Sequence, residues 1–206
     1  PVLLPARHGG GAIDFETQET RIIFGSGRKI AEIRPTQRND AHKLIEECML
    51  AANVATAAFM QKHGIPALYR VHDGPPPERL EKLKAFLGEL GLSLHRGKSK
   101  DGPSPKDYQA LLESIRGRED YHLIQTVMLR SLSQAVYSAD NQGHFGLNYD
   151  AYAHFTSPIR RYPDLLIHRA IRSVIRSKQD TPHVERAGAV SMPKARIYPY
   201  DEPMLE

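Results

Sequence analysis

Pro158, set between Thr156-Ser157 and Ile159-Arg160-Arg161, restricts the fold of this chain more than any other residue. Proline gives a sheet no backbone donor and biases the residue before it toward extended geometry, so a strand reaching Ser157 must end there. Upstream, aromatic side chains alternate with small or polar ones over residues 149–155, a period of two that predicts a strand with one buried face. Downstream, Pro163 and Asp164 open a helical pattern through residue 178, proline being tolerated in a first turn and an acid favoured there by the helix dipole. Arg169, Arg172, Arg176 and Lys178 give that helix a basic exposed face. A strand, a rigid corner carrying two guanidiniums and a basic helix together suit the holding of a phosphate.

Composition narrows the setting. The 206 residues carry a net charge of +4 and are enough to bury a sizeable core. With a pI near 9.2 the balance leans toward nucleic acid. No apolar run reaches membrane-spanning length, so no membrane role is expected. One cysteine, Cys48, excludes an internal disulfide and a cysteine-built zinc site; it lies in an apolar helical stripe and is expected to be buried. A cytoplasmic setting fits this cysteine usage. The opening Pro1-Val-Leu-Leu-Pro reads as mid-chain sequence, and the expectation is a piece of a longer protein.

Along the chain, residues 12–15, 20–24 and 29–33 are strand candidates, the last two joined through Gly25-Ser-Gly27. Residues 36–64 predict one long central helix, with Asn39 and Asp40 at its start and Gly64 at its end. Its apolar stripe is expected at Leu44/Ile45, Cys48/Met49, Ala52, Ala55 and Phe59, and its alanines imply close packing. Within it Glu46 and Glu47 point about 100° apart, so they cannot act as paired metal ligands, and on physical grounds alone they read as solvated. A strand is expected over 67–72, helices over 78–90, 105–115 and 121–137, and an exposed loop over 95–105. Residues 179–206 show no apolar period and read as a linker. The fold class is α+β: short antiparallel strands around a long central helix, with further packed helices.

No glycine-rich phosphate loop, nucleophile elbow or close histidine ligand pair is present, which leaves the arginine corner. Nearby aromatics serve as core or as stacking faces for bases. Physics alone reaches a phosphodiester-handling domain for RNA or DNA.

Gly143-His-Phe-Gly-Leu147, followed by Tyr152-Ala-His-Phe-Thr-Ser-Pro-Ile-Arg-Arg-Tyr-Pro-Asp164 and His168-Arg169, resembles the signature of the ribonuclease II/ribonuclease R family. The block from Gln37 to Asn53 and the phrase Tyr69-Arg-Val-His-Asp73 are similar to the same family, on its ribonuclease R side. The resemblance covers residues 10–178 and implies the C-terminal two-thirds of the RNB-type catalytic domain, with residues 179–206 leading toward an S1-like domain. It implies a processive 3′-to-5′ exoribonuclease that hydrolyses single-stranded RNA to nucleoside 5′-monophosphates with two magnesium ions (Mg2+). By that resemblance Arg160 is the catalytic arginine, Glu46 reads the terminal ribose, and Phe15 forms one side of a clamp on the terminal base. Arg161, Tyr162 and Arg169 support the site or the RNA backbone. The aspartates that hold Mg2+ in the family are expected upstream of Pro1, so no metal ligand is assigned here and this polypeptide alone is expected to be inactive. Cold-shock and S1-like domains are expected in the parent chain. The competing expectation is a non-catalytic RNA-binding or scaffolding module that keeps the fold without the chemistry.

Overall fold

The computed structural model describes residues 9–15, 20–36, 39–94, 102–175 and 200–205. The elements are β1 (Thr20–Phe24), β2 (Ile30–Pro35), α1 (Asp40–Lys62), β3 (Tyr69–Val71), α2 (Pro77–Glu89), α3 (Pro105–Ser114), α4 (Tyr121–Ser131), β4 (Val136–Ser138), α5 (Tyr162–Ile175) and α6 (Glu202–Leu205). Two antiparallel pairs, β1–β2 and β3–β4, stand among the helices, as the α+β expectation requires. The expected loop over 95–105 falls mostly outside the described residues, as do residues 179–199 of the expected linker, Arg176 and Lys178.

Helix α1 starts where its cap chemistry sets it. The Asn39 side chain accepts the backbone N–H of His42 at 3.0 Å, and Gly64 ends the run with φ +57, a conformation open to glycine at little cost. Its buried face is not the expected one. Glu47, Asn53, Thr56, Ala57 and Met60 turn inward, whereas Leu44 and Ile45 are 54% and 59% exposed. Cys48 is exposed, and of the alanines of α1 only Ala57 is buried. Hydrophobic count alone could not choose the face, because the polar Asn53 has partners across the fold that outweigh a few methyl groups.

The buried apolar residues form two clusters. In one, Ala57 and Met60 of α1 meet Tyr69 and Val71 of β3 and Leu166 and Ile167 of α5, with Leu205 of α6 closing on them. In the other, Leu83 and Leu87 of α2, Tyr108 of α3, and Ile124 and Met128 of α4 pack together. Hairpin β1–β2 leaves Ile22, Phe24, Ile30 and Ile33 exposed, so among the described residues nothing covers its apolar side chains.

Three sequence expectations give way here. Residues 12–15 form no strand; Ala12 and Ile13 are buried, and the Ile13 N–H reaches the Gly146 carbonyl at 2.9 Å. The helix expected over 121–137 ends at Ser131, and Val136–Ser138 pairs with β3 in the register Arg70↔Tyr137. Val136 and Tyr137, β-branched and aromatic, gain more from that ladder than from continuing the helix through them. Residues 149–155 are extended but are not a strand, because a single ladder bond, from the Arg70 N–H to the Tyr152 carbonyl at 2.8 Å, ties them to β3. Tyr152 and Ala153 are buried in succession, so both faces are covered and the two-residue period does not describe the packing.

Candidate functional site

The corner is assembled from both sides of Pro158. On the upstream side Asn53 of α1 clamps the extended segment, its amide donating to the Tyr152 hydroxyl at 2.8 Å and its carbonyl accepting the Phe155 N–H at 2.9 Å. His168 of α5 stacks on the Phe155 ring at 4.2 Å and meets the Phe155 carbonyl through Nε2 at 3.0 Å, which makes it a packed, hydrogen-bonded histidine. The chain then turns, with the N–H groups of Arg160 and Arg161 directed at the Ser157 carbonyl at 3.3 and 3.1 Å.

Asp164 ties the turn to the helix. It is completely buried, and its Oδ2 accepts from the Ser157 N–H at 2.7 Å and from Nε and Nη2 of Arg161 at 3.1 and 2.8 Å. The two arginines of the corner therefore separate. The Arg161 side chain is drawn inward, 19% exposed and paired with the carboxylate. Arg160 is exposed and makes no side-chain hydrogen bond or ion pair among the described residues. The corner offers one guanidinium to a ligand and spends the other on its own geometry.

The surroundings stay positive. His154 shares a 2.7 Å hydrogen bond with the Tyr137 hydroxyl, and the Arg70 guanidinium lies 4.8 Å from the centre of the Tyr137 ring. Burial, reinforced by the Arg161 guanidinium, lowers the His154 pKa from 6.5 to about 4, so this imidazole is neutral near pH 7. The field at the corner is then set by arginines rather than by a titrating histidine.

The other expected residues lie in three places. Tyr162 and Arg169 meet through Tyr200: Arg169 Nη1 donates to the Tyr200 hydroxyl at 3.1 Å, and the Tyr162 and Tyr200 hydroxyls are 3.5 Å apart. Phe15 packs half-buried against the α2–α4 cluster. Glu46 is half-buried on α1, seven residues before Asn53, which puts the two on one helix face about 10 Å apart along the axis. Its neighbour Glu47 is buried rather than solvated.

Sequence reasoning passed over Asn53 and the Asp164 lock. An Arg-x-x-Asp spacing at a helix start is the signal for the second; an asparagine amid alanines is the only sign of the first.

A cavity of about 500 Å³ opens elsewhere, between β3 and the turn at Phe145–Leu147, and none of the expected site residues lines it. His72 and His144 come together there, rings 4.9 Å apart, although no such pair was legible in the sequence. His72 Nδ1 accepts the Gly146 N–H at 2.8 Å, so its Nε2–H donates to the Ser133 carbonyl at 2.8 Å, and both ring nitrogens serve the backbone. Among the described residues no group of three or more His, Cys, Asp or Glu side chains is placed to hold a metal ion, so the residues present do not fit a magnesium site. No described helix is long and apolar enough to cross a membrane.

A family model described as the RNB domain matches residues 2–177. Ribonuclease R of Vibrio parahaemolyticus is 57% identical over 178 residues, 86% of this chain and 21% of that protein. Ribonuclease R of Escherichia coli K12 is 51% identical over 178 residues, again 86% of this chain and 22% of the other. Mycoplasma genitalium RNase R, solved in complex with ribose-methylated single-stranded RNA, superposes with a TM-score of 0.75 at 31% identity, over 81% of this chain and 26% of that one. The chain spans about a fifth of the length of the curated relatives it matches.

Proposed function

The chain belongs to the RNB-domain family, and from that premise we propose that it is the arginine-bearing part of the catalytic domain of an exoribonuclease. The parent protein degrades single-stranded RNA processively from the 3′ end to nucleoside 5′-monophosphates, in the cytoplasm and with cold-shock and S1-like domains in the same chain. Residues 1–178 are the C-terminal portion of its RNB domain, and residues 179–206 lead toward the S1-like domain. Arg160 faces the scissile phosphate. A guanidinium donates a fork of hydrogen bonds to phosphate oxygens and offsets the charge that develops on them in the transition state. Glu46 accepts from the 2′-hydroxyl of the terminal ribose, a group DNA lacks. Phe15 stacks on the terminal base. Arg161, Tyr162 and Arg169 support the corner and the RNA backbone. Magnesium chemistry falls to residues other than those described.

The observation that carries this reading is the division of labour at the corner, where Arg161 is held by Asp164 while Arg160 stays exposed. Its test is Arg160→Ala in the intact protein: turnover should collapse while RNA binding persists. A second reading, a non-catalytic RNA-binding or scaffolding module, is favoured by the absence of a metal-holding group among the described residues. Supplementing the intact protein with Mg2+ separates the two, since a scaffold leaves RNA uncut.

A further inference from the structure

We propose that Asp164 is the positioning residue of the arginine corner and acts on the reaction through Arg160. This rests on the assignment of Arg160 to the scissile phosphate and adds what selects that arginine over its neighbour. Two guanidiniums in sequence are chemically equal; only their surroundings distinguish them. The fully buried Oδ2 of Asp164 takes the Ser157 N–H at 2.7 Å and two nitrogens of Arg161 at 3.1 and 2.8 Å. One atom therefore fixes the entrance of the turn, its exit and the first turn of α5. Arg160, between the fixed points, is left exposed. The second oxygen, Oδ1, is buried without a hydrogen-bond partner among the described residues, as is the neighbouring Thr156 Oγ1. A buried, half-satisfied carboxylate is a costly way to stabilise a turn, for which a well-packed apolar contact would serve as well. It is an effective way to neutralise one arginine and spare the next. Releasing Asp164 would place a second, mobile cation beside the first and loosen the aim of both.

The experiment uses the intact protein with Mg2+ and a single-stranded RNA, comparing Asp164→Asn, Arg160→Ala, the double variant and Arg161→Lys. Asp164→Asn keeps the shape but removes the charge. Its kcat should fall on the order of tenfold to a hundredfold while KM does not rise, the mark of misaligned rather than missing contact. The slope of log binding constant against log salt should steepen by about one, because Arg161 becomes free to meet a phosphate. A turn stabiliser alone would not move that slope. The double variant should turn over no more slowly than Arg160→Ala. Loss in the double variant equal to the product of the single losses would overturn the proposal, as would wild-type kcat and salt slope in Asp164→Asn. Should Asp164→Asn not fold, Arg161→Lys decides: a point charge cannot grip through two nitrogens, so kcat should drop several-fold at unchanged KM. Wild-type kinetics in that variant would overturn the proposal. If Arg160→Ala itself keeps full turnover, the assignment of Arg160 has failed, and the proposal falls with it, whatever Asp164→Asn does. If Arg160→Ala is dead and Asp164→Asn is folded and normal, only the role of Asp164 has failed.

Discussion

The Asn53 amide meets the Tyr152 hydroxyl at 2.8 Å, joining residues 99 positions apart and closing the long helix onto the segment that feeds the arginine corner. The same side chain accepts the Phe155 N–H at 2.9 Å, so Asn53 satisfies one partner on each side of Ala153 and His154. Both of its hydrogen bonds lie in or beside a dry cluster, where an abandoned donor costs more than a made bond gains.

Asn53→Ala should therefore destabilise the fold by about 2–4 kcal/mol, the sum of a stranded Phe155 N–H and a stranded Tyr152 hydroxyl. Tyr152→Phe, which strands only the amide, should cost about 1–2 kcal/mol. Urea unfolding of the two single variants and the double gives the coupling directly. Additive losses would show that the two residues do not share this bond.

Arg160 and Arg161 should respond oppositely to alanine. Arg160→Ala removes an exposed guanidinium, so the melting transition stays put while kcat in the intact protein falls by about 10²–10³. Arg161→Ala leaves the Asp164 carboxylate buried without its counter-charge, which costs about 3–5 kcal/mol of stability. Calorimetry and turnover on the same pair of variants check both halves. A folded, stable Arg161→Ala would contradict the buried pair.

The difference between these neighbours also marks how far the sequence could be read. Asn39, Gly64, Pro158 and Pro163 act on the backbone next to them, so the ends of α1 and the corner were legible. Val136–Ser138 was misread because its preference is decided by β3, which no local pattern reveals. The inward face of α1 was misread for a related reason: apolar residues surround the helix, and the choice falls to Asn53 and its distant partners. Arg160 could be named from resemblance, but that Arg161 is withdrawn depends on the burial of Asp164, a tertiary fact.

Acid should weaken the fold through its histidines. Burial, followed by the Arg161 guanidinium, holds His154 at about 4, and burial with the neighbouring His72 holds His144 at about 3, both below the ordinary 6.5. Between pH 6.5 and 4 the unfolded chain binds protons that the folded chain refuses, so stability is full above 6.5 and declines as pH falls through that window. For His144 the decline continues to about pH 3. His154→Gln should flatten the fall between pH 6.5 and 4 in urea titrations taken at half-unit steps. An equally steep profile in the variant would assign the effect to other groups.

This polypeptide by itself should not cleave RNA when supplied with Mg2+. Its described residues hold no cluster of hard oxygen donors, and Mg2+ gives up its water only to well-placed carboxylates or phosphates. A gel assay with a labelled single strand checks this, and sustained release of mononucleotides would overturn it.

Glu46 and Glu47 should separate in the same way as the arginines. Their side chains leave α1 about 100° apart, and Glu47 is buried while Glu46 remains half-exposed on the face it shares with Asn53. A carboxylate that accepts from a ribose 2′-hydroxyl contributes about 1.5–3 kcal/mol in a charge-assisted bond, and a DNA strand leaves it unpaired. Glu46→Ala in the intact protein should consequently narrow the RNA-over-DNA ratio of kcat/KM by about tenfold to a hundredfold, by losing rate on RNA rather than by gaining it on DNA. Glu47→Ala should lower the melting temperature and leave the sugar ratio alone. Competition between matched RNA and DNA strands reads the ratio for both variants. If Glu46→Ala preserves it, or if Glu47→Ala is the variant that changes it, sugar recognition lies on another residue.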